Sequence, residues 1–244
     1  MQQFNFDFDT PGAPEIDLDL FDLQIEPQGF STRHMRPPRY KVVPDSKIKY
    51  KNAMKMAIDM PAKKGMWHIA LIDGTFIAGD FLEAFVKKND LHCKRISIST
   101  LSLNQDNVDS LGNLLFDDWA DEIDLIVSDG FWQNYRKDLI PYIYQELDPP
   151  GVNRFQLAVA RVHTKIILIE TYCGLFITIR GSANLRSSAT IEHLEIQESP
   201  EIFRYFADFH DEIVRKFKTI NKDAPSPLHQ QSLTKAQAWQ SVKT

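Results

Sequence analysis

From Met66 onward, short apolar runs alternate with segments of helical pattern, and that alternation leaves few folds open. Trp67–Ile72 has the β-branched and aromatic content of a strand and ends at Asp73-Gly74. A helix is expected near 79–88, a second strand over Arg95–Leu103, and a helix near 107–119. Glu122–Ser128 reads as a third strand closing at Asp129-Gly130, with a helix at about 134–147. Strand, helix and strand in this order call for right-handed crossovers. The expected class is therefore α/β: a mixed, mostly parallel sheet flanked by helices on both faces. A last helix near 200–218 carries Ile202, Phe206, Phe209, Ile213 and Phe217 at spacings of three and four, which reads as a core stripe.

Between the third strand–helix pair and that last helix lies the stretch richest in chemistry, Val162 to Ile196. Residues 155–169 and 175–180 favour strands, and Thr171-Tyr172-Cys173-Gly174 between them is short enough for a hairpin. Side chains two apart on a strand share a face, so His163 and Lys165 project together. A turn centred on Tyr172-Cys173 sets opposite each other those residues whose numbers sum to 345. His163 then faces Ser182, with Asn184 one step along. An imidazole, an ammonium, a hydroxyl and a carboxamide meet at one end of two strands, a combination suited to a phosphate. A buried strand rarely carries an unpaired Lys, because desolvating the ammonium is costly. That argues for a site rather than for packing.

These residues resemble the half-motif of the phospholipase D superfamily: His163-Thr164-Lys165, then Glu170, then Gly181-Ser182-Ala183-Asn184, then Glu195-Ile196. The likeness extends more loosely over about residues 66–218. One departure is visible, since the family usually has Asp where Glu170 stands. The resemblance implies a phospholipase D-like fold and a reaction at phosphorus. His163, Lys165, Asn184 and Glu195 are its catalytic residues, with Ser182, Glu170 and Gly181 in support. Neutral imidazole is a competent nucleophile at phosphorus. Lys165 supplies a fixed positive charge, and Asn184 and Ser182 can donate hydrogen bonds to non-bridging oxygens. Glu195 is expected to bond the second ring nitrogen of His163 and set its tautomer. No carboxylate cluster suited to Mg²⁺ lies near the motif, so neither metal nor other cofactor is expected. One imidazole cannot easily be both nucleophile and proton donor in the same displacement. No second H-x-K followed by G-S-x-N is present. The resemblance therefore implies a homodimer, with two copies of His163 facing one phosphate.

Composition narrows the partners. The formal charge of −5 advertises no global affinity for nucleic acid, but its distribution is uneven. Residues 1–30 hold seven acids and no Lys or Arg, and 1–32 reads as an acidic, disordered tail. Within it, Asp17-Leu18-Asp19-Leu20-Phe21 resembles the short peptide by which bacterial replication proteins dock on the sliding clamp. Residues 33–65 reverse the sign, with Arg33, Arg36, Arg39, Lys41, Lys47 and Lys49 near Tyr40 and Tyr50. Basic residues beside aromatics suit phosphate contacts with occasional base stacking. The plainer reading is a linker with one helix at about 47–58. Residues 66–222 make the catalytic domain, and 223–244, with Pro225 and Pro227, read as a flexible tail.

Two cysteines, Cys93 and Cys173, make no disulfide framework, and no apolar run approaches the length of a transmembrane helix. The expectation is a cytoplasmic protein. The first-choice function is a nuclease cutting DNA, or RNA, through a phosphohistidine. The alternatives are a phospholipase or phosphatidyltransferase, and a nucleic-acid-binding adaptor without activity. Other candidates have plainer explanations. Asp73 and Asp129 suit turns, and Trp132 and Tyr135 suit packing. His68, His92 and His210 show no metal-ligand spacing, and His193 reads as a supporting or surface residue.

Overall fold

The structure, a computed structural model, describes residues 46–50, 52–72, 76–186 and 190–220. The acidic tail with the Asp17–Phe21 peptide, the basic residues Arg33, Arg36, Arg39 and Lys41, Asp73 and the segment 223–244 lie outside the described residues. Lys47 and Lys49 fall on a described strand, and nothing of their side chains enters the description.

Eight strands form one sheet: β1 (Ser46–Tyr50), β2 (Trp67–Ile72), β3 (Cys93–Thr100), β4 (Ala120–Ser128), β5 (Phe155–Ala160), β6 (Ile166–Thr171), β7 (Phe176–Gly181) and β8 (Glu192–Glu198), in the spatial order β1-β2-β8-β7-β6-β3-β4-β5. Six of the eight run in one direction. Because the two reversed strands, β6 and β8, sit inside the sheet, four of the seven pairings are nevertheless antiparallel. The sheet is thus mixed, with parallel pairs at its two edges and an antiparallel centre.

The helices are α1 (Ala53–Asp59), α2 (Ala78–Lys88), α3 (Gln105–Phe116), α4 (Asp129–Tyr135), α5 (Leu139–Leu147) and α6 (Pro200–Phe217). Strand alternation explains how they divide between the faces. Ile167 and Ile169 of β6, with Ile123, Leu125 and Val127 of β4, join the main core under α1, α2, α3 and α5. The intervening Ile166 and Leu168 pack with Phe203 of α6, and Ile126 and Ala158 pack with Ile213. Among the described residues, helices therefore cover both faces, α6 alone on the second. Its start is set by Ser199, whose hydroxyl accepts from the Ile202 amide at 3.3 Å, and by Pro200 in the first turn.

Several expectations shift. The segment taken as a helix at 47–58 is strand β1 followed by α1, with Asn52 capping the helix through the Lys55 amide. The helix expected at 134–147 is two, because Asp138 caps a new start at Leu139. On α6 the apolar stripe ends early, leaving Phe217 47% exposed. Strand β8 was not anticipated. Trp132 and Tyr135 pack against the core, as the plainer reading expects, and His92 stacks on Trp119 with ring centroids 5.0 Å apart. Cys93 is buried, and that burial pushes its thiol up to about 12, whereas Cys173 is exposed in the hairpin turn.

The α6 face also holds polar groups. Arg95 bonds Asp124 and Asp211, and the Ser97 hydroxyl lies 2.8 Å from Nδ1 of His210. His210 is fully buried, and desolvation first, then the Arg95 charge, lowers its pKa from 6.5 to about 3. The folded protein keeps this ring neutral while the unfolded chain protonates it near its ordinary pKa. The stability it contributes is therefore fully present above about pH 6.5 and is lost as pH falls toward 3. Urea melts between pH 7 and pH 4.5 are expected to show an extra loss of up to about 1.4 kcal/mol per pH unit relative to His210→Gln. Parallel pH slopes for the two proteins would refute this.

Candidate active site

The polar motif residues other than Glu170 gather where the six like-directed strands end, the edge of an α/β sheet at which ligands commonly bind. The stretch 155–169, expected as one strand, is broken. It forms β5, then an irregular passage 161–165, then β6, and two strands, β4 and β3, lie between those halves in the sheet. His163, Thr164 and Lys165 thus sit on a crossover passing the C-terminal ends of β4 and β3. Thr164 ties that crossover down, its hydroxyl donating to the Ser99 hydroxyl at 2.9 Å.

The hairpin register also differs by one. Ile166 pairs with Arg180 and Ile167 with Ile179, so paired numbers sum to 346. The turn holds three residues, Tyr172, Cys173 and Gly174, and Gly174 takes the left-handed φ of +82° that such a loop requires. Ser182 consequently meets His193 of β8 rather than His163. Its amide donates to the His193 carbonyl at 3.2 Å, and its hydroxyl accepts from the His193 amide at 3.1 Å.

A cleft of about 300 Å³ opens here, lined by His163, Thr164, Lys165, Ile166, Arg180, Gly181, His193 and Glu195. His163 is exposed, and its ring makes no hydrogen bond among the described residues. The Lys165 ammonium bonds only the His163 carbonyl, at 3.4 Å, and no described carboxylate pairs with it. Glu195 is fully engaged: Arg180 donates to both carboxylate oxygens at 2.9 Å, and the Trp67 indole donates to one of them at 2.6 Å. The expected Glu195–His163 bond is therefore replaced. Arg180 stands directly opposite Glu195 across β7 and β8, and a cross-strand pair of opposite charge forms in preference to a bond to a loop residue.

Asn184 lies beside the cleft without lining it, its carboxamide oxygen accepting from the Leu101 amide at 3.2 Å. Glu170 is remote, at the far end of β6. It pairs with Lys94 at 3.3 Å and borders a separate groove with Arg95 and His210. Gly181 has a steric role: a Cβ there would lie 2.1 Å from the His193 carbonyl oxygen. Asp129 accepts from the Gly130 amide at 2.8 Å in the first turn of α4, as a turn residue does.

Arg180 is a cleft residue that sequence reasoning missed, and His193, read from the sequence as a supporting or surface residue, lines the cleft as well. Each sits two positions from a motif residue, Arg180 from Ser182 and His193 from Glu195, on a strand where that spacing means a shared face. Among the described residues, no three His, Cys, Asp or Glu side chains are grouped so as to hold a metal ion, and no helix is long and apolar enough to cross a membrane.

Fold and site together define an α/β protein with a cationic cleft, suited to an anion, at one edge of a mixed sheet. No protein-family model matches the chain, and comparison with curated proteins finds no match. Among the solved structures similar to it are the following three. One is a phospholipase D family member, Nuc from Salmonella typhimurium, at 13% identity and a TM-score of 0.46, over 63% of this chain and 97% of that one. The second is phosphatidylserine synthase of Haemophilus influenzae Rd KW20, at 12% identity and a TM-score of 0.44, over 72% of this chain and 46% of that one. The third is polyphosphate kinase from Porphyromonas gingivalis, at 10% identity and a TM-score of 0.45, over 66% of this chain and 26% of that one. The chain thus spans less than half the length of the latter two. Likeness at this level says nothing of activity or substrate.

Proposed function

We propose that the protein is a phosphodiesterase in which His163 attacks phosphorus and is transiently phosphorylated, and that its substrate is DNA or RNA. The observation that carries this reading is an exposed imidazole beside an ammonium with no described carboxylate partner, both lining one cleft. An unpaired cation at a strand-end cleft favours an anionic ligand, and a neutral imidazole next to it is poised to attack that ligand. Lys165 draws charge off the non-bridging oxygens. Asn184 keeps its amino group available for the same oxygens, since its carbonyl is held by Leu101. Arg180 holds Glu195, and the pair stiffens the cleft wall. With positive charge supplied by side chains, the reaction we propose needs no metal ion.

The preference for nucleic acid over lipid comes from residues 33–65, ten of which are basic. Incubation with plasmid and with labelled phospholipid, each in EDTA, separates the readings. Nicking without lipid turnover is the expected result. Lipid turnover alone would replace it with a phospholipase or phosphatidyltransferase, and inactivity on both would favour a binding adaptor. Lys165→Ala is expected to lower the nicking rate by about 10²-fold, the scale of removing one donor to a transition-state oxyanion. A change of less than threefold would remove Lys165 from the reaction.

Departure of the leaving oxygen calls for a second imidazole. A twofold-related copy contributing its own His163, the arrangement that a homodimer would supply, is one source. The cleft itself contains another.

A further inference from the structure

We infer that His193, from the same chain as His163, is the proton donor to the departing oxygen. This assignment rests on the phosphodiesterase reading and deepens it. On β8, Leu194 and Ile196 point into the main core, so alternation turns His193 and Glu195 to the opposite face. His193 is exposed and lines the same cleft as His163. Its ring makes no hydrogen bond among the described residues, while its backbone is fixed on both sides by Ser182. A free ring on a pinned backbone is a preorganised group awaiting a ligand.

The spacing suits a phosphate held between two rings. The amide of Gly181 donates to the Lys165 carbonyl at 3.3 Å, which prolongs the β6–β7 ladder to the edge of the crossover. Gly181 in turn pairs with Leu194, next to His193. Two strand spacings, roughly 10 Å, therefore separate the backbone at Lys165 from that at His193. Imidazoles reaching inward from the two sides leave room for a phosphate between them. The charged groups near His193 are Glu195 and Arg180, which satisfy each other, and Lys165 and His163 across the cleft. On β2 its neighbour is the apolar Leu71. Lys165 is a poor alternative donor, because an alkylammonium as a class gives up its proton far less readily than an imidazolium does.

The chemistry balances in two steps. A ring nitrogen of neutral His163 forms a bond to phosphorus as the bond to the leaving oxygen breaks, and protonated His193 gives that oxygen its proton. Neutral His193 then takes a proton from water as the water oxygen bonds phosphorus and the phosphorus–nitrogen bond breaks. A phosphomonoester is released and both rings return to their starting states.

The test compares leaving groups. Wild-type protein, His193→Gln and His163→Ala are each given a short DNA oligonucleotide, whose alkoxide leaving group needs a proton, and thymidine 5′-(p-nitrophenyl phosphate), whose nitrophenolate does not. His193→Gln is expected to slow oligonucleotide cleavage by about 10²- to 10³-fold. The first-turnover burst of nitrophenolate precedes hydrolysis of the phosphohistidine and needs no proton from His193. That burst should change by less than about threefold, a result that also shows the variant to be folded, while later turnovers should slow on both substrates. Equal losses in the first turnover of both substrates, or no first-turnover loss on the oligonucleotide, would overturn the assignment; the latter result would return the donor's role to a twofold-related His163. A wild-type protein inactive on both substrates would refute the phosphodiesterase reading itself.

Discussion

His163→Ala is expected to lower phosphodiester cleavage by at least about 10⁴-fold, the scale on which a covalent nucleophile is missed. Removing it deletes the atom that bonds phosphorus, and no neighbour in the cleft can take over. The Lys165 ammonium has no lone pair to offer phosphorus. His193 projects from the other wall, fixed there by the two bonds its backbone makes with Ser182. The protein itself should be unaffected. The ring is exposed and without hydrogen bonds among the described residues, so the cost in stability falls within the ±0.5 kcal/mol or so usual for surface changes. A melting temperature matching wild type, together with the loss of a phosphate label trapped on the wild-type chain, would locate the effect in chemistry. Cleavage within tenfold of wild type would remove His163 from the reaction.

Gly181→Ala should be the most damaging single methyl group in the site. The added Cβ would lie 2.1 Å from the His193 carbonyl oxygen and 3.2 Å from the Leu194 Cα, both backbone atoms with no rotamer by which to retreat. Relief requires β7 and β8 to part, and the Gly181 amide also holds the Lys165 carbonyl. A destabilisation of about 3 kcal/mol is expected, at the upper end of overpacking costs. For a chain of this size that corresponds to a drop in melting temperature of roughly 6–12 °C. Cleavage should fall with it, because the same strand separation moves both walls of the cleft. An alanine variant that melts and cleaves like wild type would mean the close approach at Gly181 is not a constraint.

The two predictions depend on different kinds of information. His163 and Lys165 were visible as chemistry before any fold was known, because an imidazole and an ammonium two residues apart in an apolar run have no packing explanation. Their placement was not visible. Val162 and Thr164 continue the β-favouring pattern through 155–169, and nothing local indicates that β3 and β4 come between its halves. Strand β8 was harder still. Glu192–Glu198 offers only Leu194 and Ile196 as apolar residues, and its partners β2 and β7 come from distant and near parts of the chain respectively. The partner of Glu195 followed from that missing strand, since Arg180 reaches it only once β7 and β8 are paired.

Local pattern was enough to determine the α/β class, most of the strands and helices, and the residue types able to act on a phosphate. Periodicity and side-chain chemistry are properties of short segments and survive without knowledge of neighbours. Only the tertiary structure decided which groups share the cleft: the crossover that carries His163, the register that joins Ser182 to His193, and the engagement of Glu195 by Arg180 and Trp67. Those contacts need strands brought side by side, over separations from 11 residues for Ser182–His193 to 128 for Trp67–Glu195. Their register is chosen by the burial of apolar faces across the whole sheet, a balance that no single segment contains.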